Sequence, residues 1–318
     1  MGAERGNPLD GAAQTLIIER MLPLYEAKML HQFDHRWATY DGTVDSKGQP
    51  AARDVTMAEK VEPDFAALPR YWVEGEEVAN RLASRWSQQW LMGWRDIARS
   101  TDERTVIASG VGLRASPEGG TLLLLPNDAV AGVVAVLAAL DSLAFDFVAR
   151  QKVGGTHVKY FTMKQLPVPG KVDIEAVAPF TVTERWGDWL RSRVLELTYT
   201  AWDMASFAED LGDTDPEGKV NPPFIWDDER RSWLRSELDA AFFHLYGIER
   251  NDVRYIMETF PIVRRKDDAA YGEYRTRNRI LAVYDALQSA AAVGEPYRSV
   301  LDPAPGHGLR HESRQECT

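Results

Sequence analysis

The chain has 318 residues, of which 44% are hydrophobic and 27% are charged, and its formal net charge is -11. A chain of this size and composition can bury one large core or two moderate ones, so disorder of the whole chain is excluded. The single cysteine, Cys317, excludes a disulfide framework or a cysteine metal cluster within one chain. No N-terminal segment has the pattern of a secretory signal, and the longest apolar stretch is too short and too often interrupted by aspartate to be a membrane span. We therefore expect a cytoplasmic protein with no membrane partner.

Residues 1–60 are expected to form a connector rather than a domain of their own. Residues 1–14 are Gly-rich and polar, as in a loop. Residues 22–40 are dense in aromatic and ionisable side chains, and a turn-rich segment follows them. This order predicts an extended, half-buried strand within a connecting segment.

Residues 61–172 alternate between strand and helix signals. Short apolar runs predict strands over 70–73, 105–113 and 121–125. Four side chains near helical spacing predict a helix over 76–91: Val78, Leu82, Trp86 and Trp90. A long apolar helix is expected to begin at the cap Asp128, to run to about residue 151 and to end before Gly154 and Gly155. This segment is therefore predicted to be a mixed α/β domain.

Residues 173–295 are predicted to be mainly helical. Periodicity of helix length covers 183–211, 227–245, 250–260 and 269–292. From residue 296 to 318 the chain is rich in Pro, Gly and His, and we expect a disordered tail. The predicted fold class is α+β: a mixed α/β domain followed by a mainly helical C-terminal region.

The charge is unevenly distributed. An acidic chain is a poor partner for DNA, because DNA affinity comes largely from neutralised phosphates. From 147 to 172, however, no acidic residue occurs, and a second basic group follows residue 263. An acidic protein with such basic strips can still present one face to a phosphate backbone.

The segment 154–160, Gly-Gly-Thr-His-Val-Lys-Tyr, is the most informative part of the first strip. Its glycines allow a ligand to approach the backbone closely, and amides and lysines suit phosphates. The histidine and tyrosine suit base edges. A plain turn after a helix, with solvated lysines, is the alternative interpretation.

The tetrapeptide 221–224, Asn-Pro-Pro-Phe, has the composition of the adenine-binding loop of N6-adenine methyltransferases. That loop should follow a strand of a doubly wound sheet that lies downstream of a Gly-rich cofactor turn. Here a polar linker precedes it and a helix follows directly. We also find no strand, Gly-rich turn and acidic residue that would hold S-adenosylmethionine. The two prolines are better interpreted as the start of a helix.

Two other sets of residues have catalytic composition. Asp10, Glu26 and Lys28 match the Asp and Glu-x-Lys pattern of magnesium-dependent restriction nucleases, although the pattern is short and its sheet context is missing. Residues 31–36 include two histidines, an aspartate and an arginine, which suggests a metal site or a general base. Hydrogen bonding at a domain junction is the more ordinary explanation for this cluster, and we predict no metal site and no catalytic residue.

Several stretches resemble the C-terminal half of large restriction-modification polypeptides, namely type IIG enzymes and the related adenine methyltransferases of BREX and DISARM phage-defence systems. They lie in a consistent order along nearly the whole chain: LYEAKMLHQFDHRWATY (24–40), WRDIARSTDERTVIAS (94–109), LDSLAFDFVARQKVGGTHVKYFTMKQLPVP (140–169), WDDERRSWLRSELDAAFFHLYGI (226–248) and YIMETFPIVRRKDDAAYGEYRTRNRILAVYDAL (255–287). The end of the third stretch is also similar to the exit of a recognition half in type I specificity subunits and TaqI-type methyltransferases.

The resemblance implies a target recognition domain over 61–172, with helical elements after it. The catalytic methyltransferase domain would lie in an upstream domain or subunit, which would bind S-adenosylmethionine and flip the adenine. This chain would need no cofactor of its own, would be inactive alone and would bind double-stranded DNA.

The basic and polar positions of the matched stretches are the candidate DNA contacts. The first group comprises Arg104, Thr105, Lys152, Thr156, His157, Lys159, Tyr160 and Lys164. Arg264, Arg265 and Lys266 form a second group, for which a solvated helix face is an equally good explanation. A small magnesium-dependent nuclease and a protein-interaction module without DNA binding are the alternatives.

Overall fold

The computed structural model describes residues 20–113, 121–124 and 130–314. It shows an α+β fold with small sheets and a helical C-terminal region, which confirms the predicted fold class. In these ranges the strands are β1 (Met21–Leu24), β2 (Ala38–Thr39), β3 (Arg53–Asp54), β4 (Tyr71–Glu74), β5 (Trp90–Arg95), β6 (Ala108–Gly112) and β7 (Thr121–Leu124). The helices there are α1 (Met57–Lys60), α2 (Gly75–Leu82), α3 (Val130–Asp141), α4 (Leu143–Lys152), α5 (Tyr160–Met163), α6 (Lys171–Glu175), α7 (Trp186–Thr198), α8 (Ala205–Asp210), α9 (Asp228–Leu245), α10 (Arg250–Glu258), α11 (Pro261–Tyr271) and α12 (Arg275–Val293).

Strand β5 is the centre of a three-stranded antiparallel sheet, with β6 on one side and β7 on the other. The expected strands in this region are confirmed, but β5 itself was not predicted. The expected helix over 76–91 is wrong beyond Leu82, where α2 ends. The reason is that β5 is buried on both faces, so its apolar residues show no strand alternation, and Trp90 also fits the helical spacing.

The long apolar helix expected up to residue 151 is divided into α3 and α4, which are bent by 67° relative to each other. At the break, the Asp141 carboxylate accepts a hydrogen bond from the Ala108 backbone N–H at 2.9 Å, and the Ser142 hydroxyl accepts from Phe145 N–H at 3.2 Å. Ser142 thereby caps a new helix. The expected cap Asp128 lies outside the described residues.

No single helix in the described ranges is long and apolar enough to cross a membrane. Together the bent segments 132–141 and 143–152 would pass that test on length and composition alone.

Helices α7, α9 and α12 form the centre of the C-terminal region, where α12 packs against α9 and α7 packs against α9 and α3. The predictions over 227–245 and 250–260 are confirmed by α9 and α10. The prediction of one helix over 269–292 is wrong in its first part, because α11 ends at Tyr271. The next residue, Gly272, has a φ of 72°, the left-handed conformation that commonly ends a helix.

The largest hydrophobic cluster crosses the boundary that we predicted at residue 172. It contains Trp94 and Phe145 from before this boundary, and Phe243 and Leu287 from after it. The two segments therefore share one core.

The segment after α12 packs on the helical region, although we expected a disordered tail from residue 296. The Tyr297 backbone N–H donates to Phe180 O at 2.8 Å, and Ile225 N–H donates to Leu309 O at 2.8 Å. The Arg310 guanidinium pairs with Asp213 at 2.9 Å. The Pro-, Gly- and His-rich composition of this segment suggested disorder. The contacts that order it are made to distant parts of the chain, so the local composition does not reveal them.

Candidate functional site

The segment Lys152 to Lys164 begins at the last residue of α4 and includes the short helix α5. It carries most of the first group of candidate residues, and we call it the basic loop. It contains no acidic residue. Seven of its side chains are exposed: Lys152, Thr156, His157, Lys159, Tyr160, Phe161 and Lys164. The structure therefore brings together six of the predicted contact residues on one continuous surface segment. It adds Phe161, which was missed and is 69% exposed.

Backbone hydrogen bonds hold the basic loop against the end of β5. The Ala98 N–H donates to Thr156 O at 3.1 Å, and the Val158 N–H donates to Asp96 O at 2.7 Å. The Trp94 indole N–H donates to Val158 O at 2.8 Å. Since β5 is the central strand of its sheet, the loop has a fixed position on a rigid element.

The buried carboxylate of Asp96 lies under the loop. Asp96 Oδ2 is 3.1 Å from His157 Nδ1 and also pairs with the Lys159 ammonium. This contact orients both side chains but offsets part of their positive charge. Lys152 and Lys164, by contrast, have no ion pair within the described part of the chain, so they supply the uncompensated charge of the loop.

Aromatic rings extend the surface beside these lysines. The Tyr160 ring contacts the Trp94 ring edge-on, with centroids 5.0 Å apart, and is itself 44% exposed. Phe161 is the next residue on α5. Exposed rings next to cations are typical of surfaces that contact nucleic acid, because rings stack on bases while lysines contact phosphates.

Arg104 and Thr105 do not lie on this surface, contrary to the prediction. Thr105 is completely buried and Arg104 is 9% exposed. The Arg104 guanidinium pairs with the buried carboxylate of Asp146 at 2.7 Å, and the Thr105 N–H donates to the same carboxylate at 2.9 Å. Both residues satisfy a charge inside the protein, which sequence inspection alone did not reveal.

The second candidate group lies on α11, where all three side chains are exposed. Arg264 pairs with Glu258 at 2.9 Å, and Lys266 pairs with Glu103. Arg265 has no ion pair within the described residues. Only this one cation of the group is therefore uncompensated by a neighbouring carboxylate in those ranges.

Glu26 and Lys28 are the described part of the nuclease pattern. Glu26 precedes a single 3-10 turn, Ala27–Met29, and Lys28 lies within it. Their side chains pair with each other at 3.6 Å, and Glu26 also accepts from the Tyr40 hydroxyl. Asp10 lies outside the described residues. Among residues 20–113, 121–124 and 130–314, no group of three or more His, Cys, Asp or Glu side chains could hold a metal ion.

The 31–36 segment is tied to the helical region by polar contacts. His35 Nε2 is 2.9 Å from Asp203 Oδ1, and the buried Asp34 carboxylate pairs with Lys60. The buried Arg36 guanidinium donates to Thr200 O at 3.0 Å. Burial lowers the pKa of His31 to about 3, so this imidazole is neutral.

The tetrapeptide 221–224 precedes α9, and its side chains are engaged. The Asn221 amide donates to Asp213 Oδ1 at 2.9 Å. Phe224 is 1% exposed, and the Arg310 guanidinium covers its ring at 3.7 Å. A flipped base could not stack on this ring without displacing Arg310.

The basic loop is therefore the feature with the clearest capacity for binding, since it combines uncompensated lysines, exposed rings and a rigid support. Comparison with protein-family models, with curated proteins and with solved structures gives no match to this chain.

Proposed function

We propose that this chain is the DNA-reading portion of an adenine-specific DNA methyltransferase of the restriction-modification type, and that it contacts duplex DNA through the basic loop. The observation that carries the proposal is the exposed, acid-free segment from Lys152 to Lys164, which hydrogen bonds fix to the end of β5. The reaction assigned to the parent enzyme comes from the sequence resemblance alone.

In this proposal Lys152 and Lys164 neutralise backbone phosphates, which supplies affinity without sequence preference. His157, Tyr160 and Phe161 lie between them along the loop and are the groups that would meet base edges. Asp96 holds His157 and so determines where its ring points.

Methyl transfer is assigned to a separate domain or subunit that would bind S-adenosylmethionine and take the flipped adenine. The complex would act in the cytoplasm. Alone, the chain is expected to bind DNA weakly and to transfer no methyl group. Methylation of DNA by the purified chain would contradict this assignment.

The test is fluorescence anisotropy with a labelled duplex between 50 and 200 mM salt. The Lys152→Ala/Lys164→Ala variant removes both uncompensated lysines of the loop. Loss of two phosphate contacts should reduce the slope of log affinity against log salt by about 2 and weaken binding at least about tenfold at 0.1 M salt.

The matched control is Lys47→Ala/Lys219→Ala, which removes two exposed lysines from turns outside the basic loop. Its binding should stay close to that of the unsubstituted chain. Equal losses in the two double variants would show that the loop has no special role. Absence of any salt-sensitive DNA affinity in the unsubstituted chain would favour a protein-interaction module instead.

A further inference from the structure

A polar cleft lies beside the segment that supports the basic loop, between residue 31, the segment 95–107, and helices α9 and α12. It consists of two adjoining cavities of about 130 Å³ and 190 Å³, and both are lined by His31 and Arg104. Arg235, Ser232 and Thr276 line the first cavity, and Arg95 lines the second. We call it the arginine cleft.

Two arginines of the cleft form no ion pair with any carboxylate in the part of the chain that the structure describes. Arg235, on α9, is half-buried and makes no hydrogen bond or ion pair with the described residues. Arg95 donates to Leu30 O, but its buried Nε–H has no acceptor in the described ranges. Burial lowers the pKa of Arg95 to about 10, so it remains charged at neutral pH.

No carboxylate in the described ranges forms an ion pair with Arg95 or Arg235, although the charge of Asp34 acts on Arg95 and that of Asp239 acts on Arg235. Arg104 is already paired with Asp146, and Glu103 is paired with Lys266. Burial raises the pKa of Asp141 to about 8, so this carboxyl is mostly uncharged at pH 7.

Asp102 and Asp239 are the remaining acids of the cleft. The exposed Asp102 carboxylate lines the second cavity and accepts from the Arg99 N–H at 3.0 Å. The Asp239 carboxylate accepts from the Leu143 N–H at 2.6 Å, and burial raises its pKa to about 6, so it is mostly ionised at pH 7. Neither carboxylate forms an ion pair with Arg95 or Arg235 among the described residues, so the donors of these two guanidinium groups stay available to a ligand.

We propose that the arginine cleft binds a phosphate group. A half-buried guanidinium without a counter-ion has lost hydration and gained no partner, so an oxyanion that supplies both is bound favourably. The planar donor fork of arginine matches two phosphate oxygens. The Ser232 hydroxyl, which accepts from Arg279 at 3.1 Å, can still donate its own proton into the same cavity.

The phosphate could be part of a nucleic-acid backbone or of a free phosphate compound. The first test does not depend on DNA: the melting temperature is measured in inorganic phosphate and in chloride at equal ionic strength. A rise of about 3 °C is expected at ten times the dissociation constant.

The test variant is Arg235→Gln, and the control is Arg254→Gln, which removes an exposed arginine on α10 that also lacks an ion pair among the described residues. In chloride, Arg235→Gln should melt at or above the temperature of the unsubstituted chain, because an unpaired, half-buried charge is lost. In phosphate it should lose the rise, whereas Arg254→Gln should keep it.

If Arg235→Gln does not fold, Arg235→Lys replaces it in the comparison, since this variant keeps the charge without the fork and should respond more weakly. The proposal is overturned if phosphate raises the melting temperature of Arg235→Gln as much as that of the unsubstituted chain. It is also overturned if phosphate does not raise the melting temperature of the unsubstituted chain.

A second arm, anisotropy with duplex DNA, identifies the source of the phosphate. A tenfold or greater loss of DNA affinity in Arg235→Gln, together with the lost phosphate response, supports a backbone phosphate. Unchanged DNA affinity with a lost phosphate response supports a free phosphate compound. Because the basic-loop variant leaves the cleft intact, failure of the DNA proposal and failure of the cleft proposal give different results.

Discussion

The substitution Asp141→Asn is the most direct test of the electrostatics beneath the cleft. Asp141 ends α3 and is 4% exposed. One carboxyl oxygen accepts from Ala108 N–H, while the other is buried without a hydrogen-bond partner in the described ranges. Burial therefore raises its pKa from 3.8 to about 8. Asparagine has nearly the same shape and keeps the acceptor for Ala108, but it does not titrate.

The sign of the pH effect follows from these two pKa values. Between pH 4 and pH 8 the folded chain keeps a proton on Asp141 that the unfolded chain releases, so rising pH favours unfolding. The free energy of unfolding should decrease by about 1.4 kcal/mol per pH unit, or about 3 kcal/mol from pH 5 to pH 7. The penalty is absent below about pH 4 and constant above about pH 8. Asp239, whose pKa is about 6, adds a decrease of the same sign at lower pH in both proteins.

The assay is urea denaturation of the unsubstituted chain and Asp141→Asn at pH 5, 6, 7 and 8. The difference in unfolding free energy between them should shift in favour of the variant by about 3 kcal/mol from pH 5 to pH 7. Asp54→Asn, at an exposed aspartate, is the control and should run parallel to the unsubstituted chain. If the Asp141→Asn curve also runs parallel, Asp141 does not titrate as described.

Two further substitutions test the support of the basic loop and of the C-terminal segment. Trp94→Phe keeps a ring but leaves the Val158 carbonyl without its donor, so we expect a loss of about 2 kcal/mol in urea denaturation and faster amide hydrogen exchange over 156–163. Exchange that is unchanged there would contradict the role given to the indole N–H. Glu237→Gln removes the buried charge that pairs with Arg193 at 2.7 Å and accepts from Tyr297 at 2.9 Å. It should cost about 3 kcal/mol or more and make the segment after α12 more sensitive to protease, and a stability change below about 1 kcal/mol would refute this.

The candidate site was partly visible in the sequence. The absence of acidic residues from 147 to 172 identified the basic loop, because a run of lysines without acidic neighbours in the sequence can be seen without knowing the fold. Arg104 looked equivalent to these lysines in sequence, yet its partner Asp146 is brought to it by packing. Arg235 gave no signal, since its lack of a partner depends on what every neighbouring element presents to it.

The fold, like the site, was determined partly by local sequence and partly by tertiary contacts. Local chemistry determined that α9 begins after Asp227, whose side chain accepts from Arg230 N–H at 3.0 Å. Gly272 is also a local signal for the end of α11, but the helix predicted over 269–292 ran through it. Tertiary structure alone made residues 90–95 a central strand, because an apolar run without strand alternation fits a buried strand and a buried helix equally well. It also decided the bend after Asp141 and the order of the segment after α12. Ala108, which donates to Asp141, and the partners of the C-terminal segment are all distant in sequence.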